Sequence, residues 1–168
     1  MQKEYRIGQK VSEKLIPIIV NEYEDKIFIN IDDTTFVTKV INLYQWFDKK
    51  SVEIEKLNSD YQEKMKNIEA NKDVAAEDLD IYKDFLKQVT DIYRDICERI
   101  DELFGEGTIK KYFRKLYEAY GDEFVPDDEC IEDFIEEITP VIEQLFKIRK
   151  DNIRSRYHKK NKRSGSHG

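Results

Sequence analysis

The stretch FGEGTIKKYF, residues 104–113, contains the residue types of a phosphate-binding loop. Two glycines flank Glu106, and a threonine and two lysines follow them. A phosphate loop also requires a preceding strand and glycines at fixed spacing, as in GxGxxG. Here a helical pattern comes first, and Glu106 places a negative charge inside the loop. The pattern therefore favours a corner between two helices, in which Gly105 closes one helix and Thr108 caps the next.

Residues that commonly bind metals or act in catalysis are few and poorly placed for either role. The acid-rich loop at 121–133 has an apolar Phe-Val-Pro run where a calcium loop needs alternating acids around a glycine. Both histidines, His158 and His167, lie in the polar C-terminal segment, whereas a catalytic base is normally held in a packed pocket. We therefore predict no catalytic residues, no metal site and no cofactor, and we expect that the protein is not an enzyme.

The composition indicates a charged, helical protein. Of its 168 residues, 39% are charged and 39% are hydrophobic, so the chain has more core-forming material than a disordered chain. No run approaches the ~20 apolar residues of a membrane span, and the start lacks the apolar core of a signal peptide. We expect a cytoplasmic protein with no membrane contact. Cys97 and Cys130 fit no metal spacing, and we interpret them as small buried thiols.

Charge is divided unevenly along the chain. Residues 147–168 carry nine Lys or Arg and one acid, Asp151, which gives a balance of +8. Because the whole chain carries -7, residues 1–146 carry -15. This basic tail predicts contact with nucleic acid, with an acidic protein surface or with an acidic patch of a neighbouring copy. An acidic protein surface is favoured, because the acidic body would repel a nucleic-acid duplex.

The apolar pattern predicts a mainly α fold, a helical hairpin or bundle of about four helices with a small N-terminal β-hairpin. LIPIIV (15–20) and KIFINI (26–31) are short and isoleucine-rich, and the second run alternates as a half-exposed strand does. Helical patterns follow from about Thr34 to Ala70 and from about Ala75 to Phe104. The short interruption at 71–73 indicates that these two helices are antiparallel.

Two shorter helices are predicted after the glycine corner. The third ends at Gly121, and Asp127 or Asp128 is placed to cap the fourth, which Pro140 should kink or split. We predict three parts in the chain: a β-rich segment at 1–32, a helical domain at 33–150 and a basic flexible tail at 151–168.

Partner-binding residues are predicted on helix faces and in the tail. We expect Tyr44 and Trp46 to be exposed on the first long helix and to anchor a partner. The other candidates are Phe47, Phe113, Tyr117, Arg154, Arg156, Lys159 and Lys160. The open edge of the hairpin is a further hypothesis, because such an edge can pair with a neighbouring copy and favour self-association.

Three features, taken in order, resemble a known family. They are a β-rich start leading into IDDTTFVTKV, a long polar helical middle, and IDELFGEGTIKKYF, where a helix ends in an FGEGT turn before a helix of aromatics. Over residues 24–148 the chain resembles the small tail assembly chaperones that tailed phages of Gram-positive bacteria encode just ahead of the tape measure gene. Lys110 and Lys111 depart from the glycine-containing sequence common after that turn, and the basic tail is not matched.

The resemblance implies a protein without enzymatic activity that works in the cytoplasm of an infected bacterium. Members of this family coat the extended tape measure protein, keep it soluble and help to recruit tail-tube subunits. They are lost from the finished virion, and some are also made in a longer, frameshifted form. The expected partners are therefore the tape measure protein and the tail-tube protein, together with further copies of the chain. The alternative is a helical nucleic-acid-associated or adaptor protein that acts through its basic tail.

Overall fold

Helices dominate the structure, and one short β-hairpin precedes them. The structure is a computed structural model that describes residues 3–5, 7–8, 14–69 and 75–147. In chain order the described elements are β1 (Leu15–Ile19), β2 (Lys26–Asn30), α1 (Phe36–Glu69), α2 (Ala75–Phe104), α3 (Thr108–Tyr112), α4 (Arg114–Tyr120) and α5 (Asp128–Leu145). The predicted fold class is confirmed. The described residues contain five helices where about four were expected, because the third is divided into α3 and α4.

The β-hairpin shares its core with the helices. Strands β1 and β2 are antiparallel, with Ile18 opposite Ile27. Ile27 and Ile29 are buried while Phe28 between them is exposed, which confirms the predicted alternation. The buried side of β2 packs on α2, so the two-stranded sheet is supported by the helical body. The division of the chain at residue 32 stays a prediction.

The two long helices are antiparallel, as predicted. Tyr61 of α1 stacks on Phe85 of α2 with ring centroids 4.4 Å apart, and Trp46, earlier in α1, lies against Arg99, later in α2. At ~1.5 Å per residue, helices of 34 and 30 residues are about 50 and 45 Å long. The interruption predicted at 71–73 lies outside the described residues.

The glycine corner joins α2 to α3. Gly105 and Gly107 have φ of +119° and +81°, values that glycine adopts readily, and Gly105 ends α2 as predicted. The prediction that Thr108 caps α3 is wrong, because Thr108 is already helical and its hydroxyl donates to the Gly105 carbonyl. The capping acceptor is Asp101 in the last turn of α2, whose carboxylate accepts from the Ile109 N–H at 2.9 Å.

A side chain from the hairpin turn explains the break between α3 and α4. In a continuous helix the Lys111 carbonyl would accept from the N–H four residues later. Here the Asn21 side chain donates to that carbonyl at 2.7 Å. Phe113 then has φ of -98° and ψ of 28° and ends one helix while beginning the next. The same Asn21 fixes the hairpin turn by accepting from the N–H groups of Tyr23 and Asp25.

Helix α5 begins at the predicted cap and continues through its proline. The Asp127 carboxylate accepts from the Cys130 N–H at 3.1 Å. Of the kink or split expected at Pro140, the split does not occur, because α5 runs unbroken for 18 residues. Proline removes one backbone hydrogen bond, and the burial of Ile138 and Ile142 on either side offsets that loss.

An aromatic cluster joins one end of the long helices to the end of α5. Phe36 contacts Phe104 and Phe146 with centroid distances of 5.7 and 5.4 Å, and Phe104 contacts Phe134 at 5.4 Å. From this cluster α5 extends along α2 as far as Tyr93, whose neighbours include Asp128 at the start of α5. At ~1.5 Å per residue, the stretch from Tyr93 to Phe104 is about 17 Å of a helix about 45 Å long, so α5 covers less than half of α2.

The pairing of α1 and α2 predicts that a charge at Ile96 destabilises the fold. Ile96 lies in the core, and Ile96→Asp would bury an unpaired carboxylate at a cost of about 3–5 kcal/mol in unfolding free energy. Val52→Asp on exposed α1 surface should change it by less than about 0.5 kcal/mol. Urea unfolding followed by circular dichroism measures both. Equal losses would contradict the packing described.

Capping of α3 by Asp101 predicts a difference between two substitutions. Burial raises the pKa of Asp101, and its backbone hydrogen bonds oppose this rise only in part. The charged carboxylate is therefore less favourable in the folded state than in the unfolded state. Asp101→Asn keeps an acceptor and removes that charge, whereas Asp101→Ala removes the cap. We expect the Ala variant to be less stable than the Asn variant by about 1 kcal/mol in urea unfolding at pH 7. An Ala variant as stable as the Asn variant would show that the cap is unimportant.

Candidate partner-binding surfaces

Two aromatic residues predicted as partner contacts on α1 belong to the core. Tyr44 is 3% exposed and Phe47 is also buried, so the expectation that Tyr44 forms an exposed anchor is wrong. The Tyr44 hydroxyl lies 2.6 Å from the Thr139 hydroxyl, which itself donates to the Ile135 carbonyl. Tyr44 is therefore the donor, and burial raises its pKa above the usual range. This contact holds α1 against α5.

The aromatic candidates after the glycine corner are also largely enclosed. Phe113 is buried at the break between α3 and α4, and its ring meets Tyr112 edge-on at 4.7 Å. Tyr117 is half-buried against Phe124, and this burial raises the pKa of Tyr117 to about 12. Neither side chain projects freely, because both fill the space between the short helices and their neighbours.

Trp46 lines an open groove between α1 and α2. The groove has a volume of about 400 Å³ and is lined by Lys39, Leu43 and Trp46 of α1 and by Arg99, Glu102 and Leu103 of α2. The Arg99 guanidinium lies 3.9 Å from the centre of the indole ring, and the Lys50 ammonium lies 5.3 Å from it. Trp46 is half-buried, so one part of its ring packs on the protein and another part faces the groove. We call this the Trp46 groove.

An apolar strip continues along α2 beyond the core. Leu79, Tyr82 and Leu86 are 52%, 45% and 42% exposed, and we call these three residues the distal strip. At ~100° per residue they fall on the same ~60° arc of α2 as Tyr93, Cys97, Ile100 and Phe104, which pack into the core. The face is thus continuous, but α3, α4 and α5 cover only its C-terminal half.

The outer face of the β-hairpin is a further apolar surface. The register places Leu15, Pro17 and Ile19 of β1 on the same face as Phe28 of β2, and all four are exposed. On the opposite face, Ile27 and Ile29 enter the core. We call these four exposed residues the sheet outer face. Cross-strand neighbours on one face lie about 5 Å apart, so the four side chains form one patch.

The open edge of β1 is less suited to pairing than the sequence suggested. The Val20 N–H donates to the Asp25 carbonyl, and the Ile31 N–H donates to the Lys14 carbonyl. In β1 the backbone groups of the even-numbered residues therefore exchange hydrogen bonds with β2. The backbone N–H and C=O groups of the odd-numbered residues point to the open edge, and Pro17 is one of these residues and has no N–H. An added strand would lose a hydrogen bond there, which is a common protection of edge strands. This placement disfavours the hypothesis of edge pairing between copies.

The glycine corner holds no phosphate, because its own carboxylate occupies the anion position. Asp101 accepts hydrogen bonds from the backbone N–H groups of Gly107 and Ile109, the donors that a phosphate would need. In the described part of the chain, no group of three or more His, Cys, Asp or Glu is arranged to hold a metal ion. The tail candidates Arg154, Arg156, Lys159 and Lys160 lie outside the described residues.

The described helices were also compared with membrane spans and the chain with known proteins. None of the described helices combines the length and the apolar character needed to cross a membrane. Comparisons with protein-family models, curated proteins and solved structures find no match to this chain.

Sequence reasoning did not find Arg99 or the exposure of the distal strip. Arg99 meets Trp46 only because α1 and α2 pair in one register, and 53 positions separate them in the sequence. The apolar stripe at Leu79, Tyr82 and Leu86 was predicted, but as part of the helix contact. The length of the apolar pattern in α2 could have indicated this exposure, because the pattern continues for more residues than the later helices can cover.

The two cysteines are predicted to differ in reactivity. Burial, with the negative charge of Asp101, raises the pKa of Cys97 to about 12, so almost no thiolate forms at pH 8. Cys130 is half-buried, and its pKa is also raised. Iodoacetamide at pH 8 should alkylate Cys130 well before Cys97 in the native protein and both equally in urea. Peptide mass spectrometry measures the rates, and equal native rates would contradict the burial of Cys97.

Proposed function

We propose that this protein is a tail assembly chaperone that binds the tape measure protein of a tailed phage and keeps it soluble. The proposal extends to assistance in tail-tube assembly, to association between copies, and to action in the host cytoplasm without catalysis. It rests first on the FGEGT corner and the order of elements around it, which resemble that family. The exposed surfaces give it a physical basis.

The observation that carries the proposal is the distal strip. A monomer gains by burying apolar side chains, yet Leu79, Tyr82 and Leu86 remain exposed in line with the core face of α2. Amphipathic helices dock on such faces through anchors spaced by three, four and seven residues. A long helical protein with apolar seams, such as a tape measure protein, is a suitable partner.

Two further properties suit a protein that coats another. The sheet outer face and the Trp46 groove supply additional contact area away from the distal strip. The chain is 39% charged, so a complex would remain soluble while apolar faces are covered. Several copies along an extended target would add their affinities.

Co-expression with the tape measure protein from the same genome tests the proposal. We expect the tape measure protein to become soluble and to copurify with this chain. Leu86→Glu should reduce the copurified amount by about tenfold, since a charge would be placed against the partner's apolar seam. Val52→Glu, also on exposed helix surface, is the matched control and should have no effect.

Two outcomes would reject the proposal. An insoluble tape measure protein in the presence of this chain would remove the chaperone function. Copurification that depends on residues 148–168 and disappears after nuclease treatment would support the nucleic-acid alternative, since that tail carries most of the basic residues after α5.

A further inference from the structure

We infer that the Trp46 groove binds an amphipathic helix whose apolar seam is flanked by carboxylates. This inference deepens the proposed function, on which it rests for the helical nature of the partner. It adds the chemistry of the segment that is bound and the residue, Arg99, that recognises it. Three features of the groove support it: a guanidinium held in position, an excess of positive charge, and an apolar floor.

Arg99 is held in position by Trp46. Its guanidinium lies 3.9 Å from the ring centre, within the range of a cation–π contact, and the planar group can stack on the indole. Within residues 14–69 and 75–147, Arg99 takes part in no ion pair. A stacked guanidinium keeps its N–H groups available around its edge, and these groups match a carboxylate in a two-pronged hydrogen bond.

The charges around the groove favour an anionic segment. Two of the residues that line the groove, Lys39 and Arg99, are cationic and one, Glu102, is anionic, so the lining has a balance of +1. The excess of positive charge contrasts with the balance of -15 over residues 1–146. Lys39 lies 4.0 Å from the Asp33 carboxylate, and Lys50 beside the groove forms an ion pair with Glu53 at 3.1 Å. Among the described residues, Arg99 is therefore the cation of the lining that forms no ion pair.

The floor of the groove is apolar and lies between two helices. Leu43 of α1 and Leu103 of α2 line it together with the Trp46 ring. A groove between parallel helix axes accepts the apolar side chains of a third helix laid along it, as in other helix-in-groove complexes. Leucine-type side chains would enter the floor while flanking glutamates reach Arg99 and Lys39. A free carboxylate metabolite would leave the apolar floor uncovered.

Intrinsic fluorescence tests this inference directly, since Trp46 is the single tryptophan of the chain. The full-length protein is titrated with two synthetic amphipathic peptides that share a leucine seam and lack Trp and Tyr. Glutamates flank the seam in one peptide and glutamines in the other. We expect a saturable change in Trp46 emission, with affinity about tenfold higher for the glutamate peptide, because charge-assisted bonds to Arg99 form only there.

Two variants separate recognition from general charge. Arg99→Gln should remove most of the preference for the glutamate peptide, since Lys39 is the other lining cation that a glutamate can reach. Arg94→Gln removes an exposed arginine on the same helix that lines a different cavity, so the preference should persist. Circular dichroism should show both variants folded, since each side chain is exposed. Calorimetric titration gives the affinities independently of the fluorescence of each variant.

The results that would overturn the inference are distinct from failure of the proposed function. Equal affinity for both peptides, no saturable binding at millimolar peptide, or equal loss in the two arginine variants would each overturn it. So would sedimentation showing that a second copy fills the groove and excludes the peptide. A further result is that the Leu86→Glu variant loses copurification with the tape measure protein while Arg99→Gln keeps it. That result would support the proposed function and contradict the binding of a helix in the Trp46 groove.

Discussion

The unequal length of the helices is the constraint on which the surfaces of this protein depend. Helices α1 and α2 contain 34 and 30 residues, whereas α5 contains 18 and α3 and α4 fewer still. The core can extend only as far as the short helices cover the long pair, from the aromatic cluster around Phe104 to about Tyr93. Beyond that point the apolar face of α2 continues without cover from α3, α4 or α5, because its sequence pattern does not change where the core ends.

Two polar side chains fix the geometry of the covered half. The Asn21 side chain accepts a hydrogen bond within the hairpin turn and donates one to the Lys111 carbonyl. The same residue therefore stabilises the hairpin turn and the break between α3 and α4. Asp101 caps α3 from the last turn of α2 and thereby sets the direction in which the chain leaves the glycine corner. The Asn21–Lys111 bond joins segments 90 positions apart, and the Asp101–Ile109 bond joins two helices, so these two bonds make the arrangement of short elements specific.

The α1–α2 pair has two sides that differ in what covers them. One side packs on α3, α4 and α5 near the aromatic cluster and continues as the distal strip. The other side holds the Trp46 groove, where the same two helices place Arg99 on an indole ring. A partner that follows the length of the pair could therefore be contacted at several places, and charge would select it at one of them. A coat on an extended helical protein needs contacts of this kind, each of modest strength.

The sequence by itself determined the elements: the hairpin, the two long helices, the Asp127 cap and the helix end at Gly105 all follow from local periodicity and from backbone preferences of single residues. It did not determine exposure or contacts between remote residues. Tyr44 has the pattern of a surface aromatic, yet Thr139 lies 95 positions away and draws its hydroxyl into the core. Trp46, two residues later on α1, remains beside an open groove and receives Arg99. A helical pattern states which residues share a face, and only the packing of the other helices decides whether that face is covered.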